Sequence, residues 1–339
     1  YLGAPFWVWS LLGFLSLFVF GCDAIVTWMA FLGFTCLFMA PFFRRSVVSV
    51  WIMKLLKALK VLPSISKTER DAIEAGTVWV DGELFSGKPN FKKILKEPFA
   101  TLSDDEQAFL DHEVKQLCEL VDDWQVYQDK GFDQKVWDKL AHDRFLGMII
   151  PKKYGGLGFS SLGHSAVIQA LSTRSVALGI SVMVPNSLGP AELLMHFGTE
   201  EQKLYYLPRL AIGKEIPCFA LTESHAGSDA GAMSSQGVLF KDPKSGELMI
   251  RLNFKKRYIT LSGLSTVLGL AFKLKDPDQL LGNKEDVGIT CALIKSSLEG
   301  IDLSRRHDPL GVPFVNCPVE GKDVVVPASV IIGGIDNAG

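Results

Sequence analysis

Hydrophobic spacing along this chain changes once, near Ile216, and does not change back. Before that point apolar residues recur at helical intervals. After it they form short runs punctuated by Gly and Pro. Helices followed by strands, without alternation, argue against a parallel α/β sheet. The fold class is therefore α+β, with the two kinds of element segregated along the chain. Ser103-Asp-Asp-Glu106 is a capping box that starts a helix with Leu110, Val114, Leu117, Val121 and Trp124 on its apolar face. Further helices are predicted over Gln134–His142, Ser160–Leu178 and Leu188–Phe197. Thr199-Glu-Glu-Gln202 is a second capping box, and its helix ends near Gly213. Residues 103–213 read as one helical domain. Gly237–Lys241 and Glu247–Asn253 flank the turn DPKSG and predict a hairpin. Lys256–Ser262, Thr266–Leu274, Gly288–Ile294 and Asp323–Val326 are further strands, so 214–333 reads as a small β-domain, a barrel or sandwich.

The segment before the helical domain is of another kind. Mean hydropathy of the chain is +0.22, and the apolar excess sits in residues 1–43. Two apolar runs, Phe6–Gly21 and Ala24–Phe43, are separated by Asp23, the sole charge there. A membrane-spanning helix needs about 20 apolar residues. The second run meets that length; the first does so only with Tyr1–Pro5 or with residues preceding the Tyr1 start. Transmembrane helices are therefore expected over 1–43, one or two in number, and a buried globular helix pair stands as the alternative. Arg44, Arg45, Lys54, Lys57 and Lys60 come next. Lys54, Lys57 and Lys60 share a narrow face with Ser46, Ser49 and Met53, so 44–62 reads as a basic amphipathic helix lying in a membrane surface. A core helix with a solvated lysine stripe is the competing reading. Basic residues on this flank place the remainder of the chain on the cytoplasmic side. Residues 63–102 are a connector to which no chemistry is assigned.

Among 339 residues the net charge is −2, which gives no hint of a nucleic-acid partner. Six cysteines and six histidines are scattered without metal-ligand spacing, so no metal site and no disulfide framework are expected. PKKYGGLG (Pro151–Gly158) is a glycine loop without the spacing of a nucleotide phosphate loop.

The stretch that speaks to function is IPCFALTESHAGSDAG, Ile216–Gly231. A short apolar run opens into small, hydroxylated and acidic residues. That pattern is a buried strand leading to a loop with accessible backbone amides. Alone it is also the pattern of an ordinary turn. FALTESHAGSDAG resembles the flavin-binding signature of the acyl-CoA dehydrogenase family, A-x-T-E-P-x-x-G-S-D. KRYITLSG (Lys256–Gly263) resembles that family's second signature, K-x-W-I-T-N. GMIIPKKYGGLG and FGTEEQKLYYLPRLAIGKE lie upstream in the family's order. The likeness covers roughly 103–339. With its apolar start, the whole chain looks like the long, membrane-associated bacterial type that serves fatty-acid β-oxidation.

The resemblance implies FAD as cofactor and oxidation of a saturated acyl-CoA to a trans-2-enoyl-CoA. It implies that Phe219, Leu221 and Thr222 line the flavin ring, and that Gly227 and Ser228 reach the flavin diphosphate or the pantetheine arm of the substrate. Tyr258 and Thr260 would contact the flavin's other side. Core packing is an equal reading of Phe219 and Leu221. The sequence departs from the family at Ser224-His225, which replace Pro-Gly, at Tyr258, which replaces Trp, and at Leu261, which replaces Asn. His225 is read as an ordinary loop histidine. Glu223 matches a family glutamate that is not the catalytic base. The base is expected beyond Gly339, on a second helical bundle that begins near 334–339 and is absent from this chain. The chain alone is expected neither to turn over acyl-CoA nor to retain FAD well. Expected partners are acyl-CoA, an electron-transfer flavoprotein or membrane electron acceptor, membrane lipid and further copies of the full-length chain. The expected location is the cytoplasmic side of a bacterial inner membrane. An acyl-CoA oxidase, a flavin monooxygenase, or a non-catalytic acyl-CoA-binding protein tethered to the membrane are the alternative readings.

Overall fold

A computed structural model describes residues 5–21, 23–40, 44–59, 80–85, 87–187, 189–282 and 284–339, with the single positions Phe42, Val61 and Arg70. The first part of the expected connector and Lys60 lie outside the described residues. The chain divides into two units, 1–67 and 68–339.

In the first unit, α1 (Phe6–Val19) and α2 (Ile25–Met39) pair antiparallel. Phe6 meets Phe34 and Phe38 at 6.2 and 6.0 Å between ring centres, and Phe14 meets Trp28 at 5.2 Å. Neither helix buries a residue. The expected spanning helices do not reach spanning length. They have 14 and 15 residues, and among the described residues no single helix is long and apolar enough to cross a membrane. The second run stops early because Ala40, which precedes Pro41 in sequence, is extended (φ −80°, ψ 112°). A π-helical turn (Arg44–Ser49) leads into α3 (Val50–Ala58). Together α2 and this basic segment satisfy the length and composition of a span, but across an 82° bend.

In the second unit, α4 (Val80–Phe85) and α5 (Phe91–Ile94) are two short helices. The capping box at Ser103 forms as read: its hydroxyl accepts from Glu106 N–H, and Glu106 Oε2 accepts from Ser103 N–H at 2.9 Å. From it α6 (Asp104–Phe109) passes through a π turn (Leu110–Val114) into α7 (Lys115–Leu120). Glu106 also accepts from Ser160 N–H at 2.7 Å, which staples this start to that of the helix over Ser161–Arg174. Val114, Leu117 and Val121 are buried as expected, but Trp124 is 69 % exposed. Asp122 caps a new helix, α8 (Asp123–Asp129), and the restart turns Trp124 outward. Next come α9 (Gln134–His142), α10 (Ser161–Arg174), α11 (Val176–Ser187), α12 (Pro190–Phe197) and α13 (Glu200–Ala211). The single helix expected over 160–178 is broken at Ser175, whose backbone is extended. The glycine loop is a packing device: a Cβ on Gly156 would lie 2.1 Å from the Ile150 carbonyl oxygen.

The β-domain is one mixed seven-stranded sheet. Its strands are β1 (Pro217–Ala220), β2 (Gln236–Lys241), β3 (Leu248–Thr260), β4 (Val267–Lys275), β5 (Asp286–Lys295), β6 (Ile301–Asp302) and β7 (Asn316–Pro327). The hairpin forms at DPKSG, where Asp242 accepts from Ser245. β3 continues to Thr260 and absorbs the strand expected separately over 256–262. Leu239, Leu252, Leu268, Phe272 and Val319 are among the residues of the sheet's core, and Trp137 and Val184 of the helical half pack against it. Gln202 ties the halves together. Its amide donates to Ile331 O at 2.8 Å and accepts from Gly333 N–H at 3.0 Å.

Candidate functional site

β1 and β2 lie end to end along one edge of β4. Phe219 pairs with Gly269, and Gln236 pairs with Lys273. Residues 221–235 leave the sheet between them and carry the first signature. Glu223 and Ala226 exchange backbone hydrogen bonds, 2.9 and 3.4 Å, which close a tight turn with Ser224 and His225 exposed at its tip. Ala226 and Met233 are buried with Ala271, and Phe219 and Leu221 pack partly against that cluster.

Glu223 is the anchor of the loop. It accepts from Ser234 N–H and hydroxyl at 2.7 Å each, from Ser235 N–H at 3.0 Å and from Lys256 Nζ at 2.8 Å, besides the Ser235 hydroxyl. Burial alone would raise its pKa, but the bonds from Lys256 and the two serines outweigh it and hold the carboxyl down at about 2. Burial pulls Lys256 below the ordinary lysine range, with the Glu223 carboxylate opposing.

The second signature sits on an irregular end of β3. The pairing with β7 shifts between Lys256 and Ile259. Tyr258 (φ 59°) and Leu261 (φ 65°) are both left-handed, so Ile259 and Thr260 stand between two strained residues. Ile259 turns into the core, while Thr260 is half-buried. The Tyr258 ring is exposed, 4.8 Å from the His307 ring, with the Arg257 guanidinium 4.6 Å over it.

Besides the Lys256–Glu223 bond, two more join the signatures. Arg257 N–H donates to Thr222 O at 2.9 Å, and Lys256 Nζ donates to Leu221 O at 3.1 Å. The structure thereby brings Leu221 and Thr222 beside the segment that carries Tyr258 and Thr260. Gly227 and Ser228 lie past the turn and make no hydrogen bond to that segment among the described residues. All seven sequence-selected residues retain access to solvent: Phe219, Leu221, Thr222 and Thr260 are half-buried, and Gly227, Ser228 and Tyr258 are exposed. A Cβ built on Gly227 meets nothing within 4 Å, which leaves room for a ligand against its backbone. On that observation the loop backbone at Gly227 can admit a ligand such as a phosphate arm.

Three features escaped the sequence reading. Lys256 and Glu223 pair across the two signatures. Ser234 and Ser235 hold Glu223. Asn316, 5 % exposed, donates from Nδ2 to Thr260 Oγ1 at 3.1 Å. The Lys and Glu positions were visible in the signatures; Asn316 carries no local signal.

Of two nearby clefts, one is lined by residues of both signatures. That cleft, of about 350 Å³, is lined by Ser224, Lys256, Arg257, Arg306 and His307. Another, of about 180 Å³, opens between the helical and sheet halves at Phe132, Trp137, Ser181, Leu264 and Val315. A cavity of about 770 Å³ at Gln202, Tyr206 and Pro327 is larger, but contains no residue of either signature. The loop chemistry, not the volume, selects these loops as the candidate site.

A helical domain followed by a sheet that carries two joined signature loops defines a class. Residues 100–214 match the N-terminal domain of acyl-CoA dehydrogenases, and 218–324 match the middle domain. The chain belongs to the acyl-CoA dehydrogenase family, a family of oxidoreductases. It is 33% identical to an acyl-CoA dehydrogenase of Bacillus subtilis over 51% of this chain and 42% of that one. It is 31% identical to a 3-(aryl)acrylate reductase of Clostridium sporogenes over 68% of this chain and 56% of that one. Its fold matches an acyl-CoA dehydrogenase of Bacillus anthracis solved with FAD, with a TM-score of 0.54 at 22% identity over 69% of this chain and 37% of that one. The chain spans about half the length of the curated relatives it matches.

Proposed function

We propose that this chain carries the helical and sheet portions of an FAD-dependent acyl-CoA dehydrogenase that oxidises medium- to long-chain saturated acyl-CoA to the trans-2-enoyl-CoA. The observation that carries the reading is the Arg257 N–H to Thr222 O bond, which joins the two signature loops with Thr222 and Thr260 both accessible. FAD, when bound, supplies a hydride acceptor. The chain's own residues do the rest of what can be assigned. Thr222 and Thr260 would orient the flat ring by their hydroxyls, and Phe219 and Leu221 would line it. Tyr258 would contact the ring's other side with Thr260. Gly227 lets the backbone approach, and Ser228 holds the diphosphate or the pantetheine arm. Glu223 is no base for the substrate's α-proton: at a pKa of about 2, with five donors on it, the carboxylate has neither proton affinity nor freedom.

The test is a titration of the chain with FAD, followed by flavin fluorescence. Thr222→Val and Thr260→Val should each weaken binding about five- to tenfold, the loss of one hydrogen bond. Equal affinity of both variants and the parent chain would overturn the assignment. Electrons would pass to an electron-transfer flavoprotein or a membrane acceptor. Oxygen uptake with peroxide release would assign an oxidase instead.

The first unit supports a lipid contact. Trp7, Trp9, Phe18, Ile25 and Met29 stand exposed on a helix pair that buries nothing, and Arg44, Arg45, Lys54 and Lys57 come after it. We propose attachment to the cytoplasmic face of a bacterial inner membrane. Co-flotation with anionic vesicles should fall when the four basic residues are changed to Glu.

A further inference from the structure

We propose that Asn316 is a positioning residue that fixes the direction of the Thr260 hydroxyl. This rests on the reading that Thr260 faces a flavin. Thr260 and Asn316 are directly opposed in the antiparallel pairing of β3 with β7. Asn316 is 5 % exposed, and its Nδ2 donates to Thr260 Oγ1 at 3.1 Å. Its Oδ1 is buried and has no hydrogen-bond partner among the described residues. A native interior rarely tolerates such an orphan without a reason.

A threonine hydroxyl has one proton to give and two lone pairs to receive with. An amide N–H occupies one lone pair and leaves the proton unspent. Thr260 is then presented as a donor, aimed by exclusion at an acceptor atom of whatever lies against its open side. Turning the amide over would reverse this. The Thr260 proton would go to Oδ1, and both N–H groups would be left unpaired in place of one N–H and the carbonyl. The backbone holds the pair in register: Leu261 N–H donates to Val315 O at 2.8 Å, and His307 N–H donates to Asn316 O at 2.7 Å. An acceptor nitrogen or carbonyl on the edge of a flat heteroaromatic ring is the chemistry such a donor recognises.

The experiment is a double-mutant cycle on FAD affinity, with the absorption spectrum of the bound flavin as a second readout. Asn316→Leu keeps the volume and removes the amide. It should weaken FAD binding about fivefold and shift the flavin band as Thr260→Val does. Added to Thr260→Val, it should do nothing more. Asn316→Asp offers only acceptors, captures the Thr260 proton, and should match Thr260→Val in both readouts. If Asn316→Leu weakens binding equally with and without the Thr260 hydroxyl, Asn316 is packing only and the inference is overturned. Should Thr260→Val itself leave affinity and spectrum unchanged, the reading of Thr260 as a flavin contact falls first. Thermal midpoints are compared throughout. If Asn316→Leu does not fold, the Asn316→Asp arm decides: a spectrum unlike that of Thr260→Val overturns the inference.

Discussion

Lys256 Nζ lies 2.8 Å from Glu223 Oε1, and the two side chains are 0 % and 5 % exposed. The bond crosses from one signature to the other and fixes the loop against β3. Breaking such a pair leaves a buried charge uncompensated. Lys256→Met and Glu223→Gln should each destabilise the chain by about 3–5 kcal/mol. The double variant should recover part of that loss. Urea denaturation of all four proteins measures it, and full additivity would show that the two groups act independently.

The same carboxylate sets an acid limit. Its folded pKa, about 2, lies below the ordinary 4.5. A depressed pKa contributes stability that is present above the unfolded value and is lost as pH falls toward the folded one. Between pH 4.5 and 2 this single group should cost the fold about 3 kcal/mol. Denaturation midpoints of the parent chain and Glu223→Gln should therefore converge as pH drops through that window. Curves that stay parallel would assign the acid limit to other carboxylates.

Gly227 separates folding from binding. Its Cβ would meet nothing within 4 Å, and its φ is not among the positive ones. Gly227→Val should change stability by less than about 0.5–1 kcal/mol. FAD or acyl-CoA affinity, measured by titration, should fall at least about tenfold, because the branched side chain occupies the space against the backbone. Unchanged affinity would move the ligand away from this loop.

Gln202 makes four bonds with one amide: to Ser329 O, Ile331 O, Gly333 N–H and Thr199 N–H. Gln202→Ala should cost about 1–3 kcal/mol, as unmet backbone groups at the junction of helices and sheet are left behind. Gln202→Glu keeps the acceptor and should lose roughly half as much. Thermal melts followed by circular dichroism read both.

What was legible in the sequence was chemistry close in the chain. Ser103 with Glu106 and Thr199 with Gln202 announce their helices because a capping box is complete within four residues. The DPKSG turn announces its hairpin in the same way. Trp124 was misplaced because Asp122 restarts the helix, and an apolar period read through a break assigns the wrong face. The span over 24–43 was overread because length was counted through Pro41. The first half of β7 went unseen since Pro318, Glu320 and Gly321 disguise a strand. The loops of the site were legible from their resemblance to known signatures. Their supports were not: Lys256 reaches Glu223, and Asn316 reaches Thr260, only once β3 is laid beside its neighbours.

The arrangement of β1 and β2 along β4 has a consequence for change over time. Both feet of the signature segment rest on a single strand, in fixed register at Phe219 and Gln236. Between those feet Glu223 is bound to Lys256 of β3, but the tip of the turn, Ser224 and His225, is exposed. Substitutions such as Ser224 and His225 can retune what is held there while the scaffold beneath stays still.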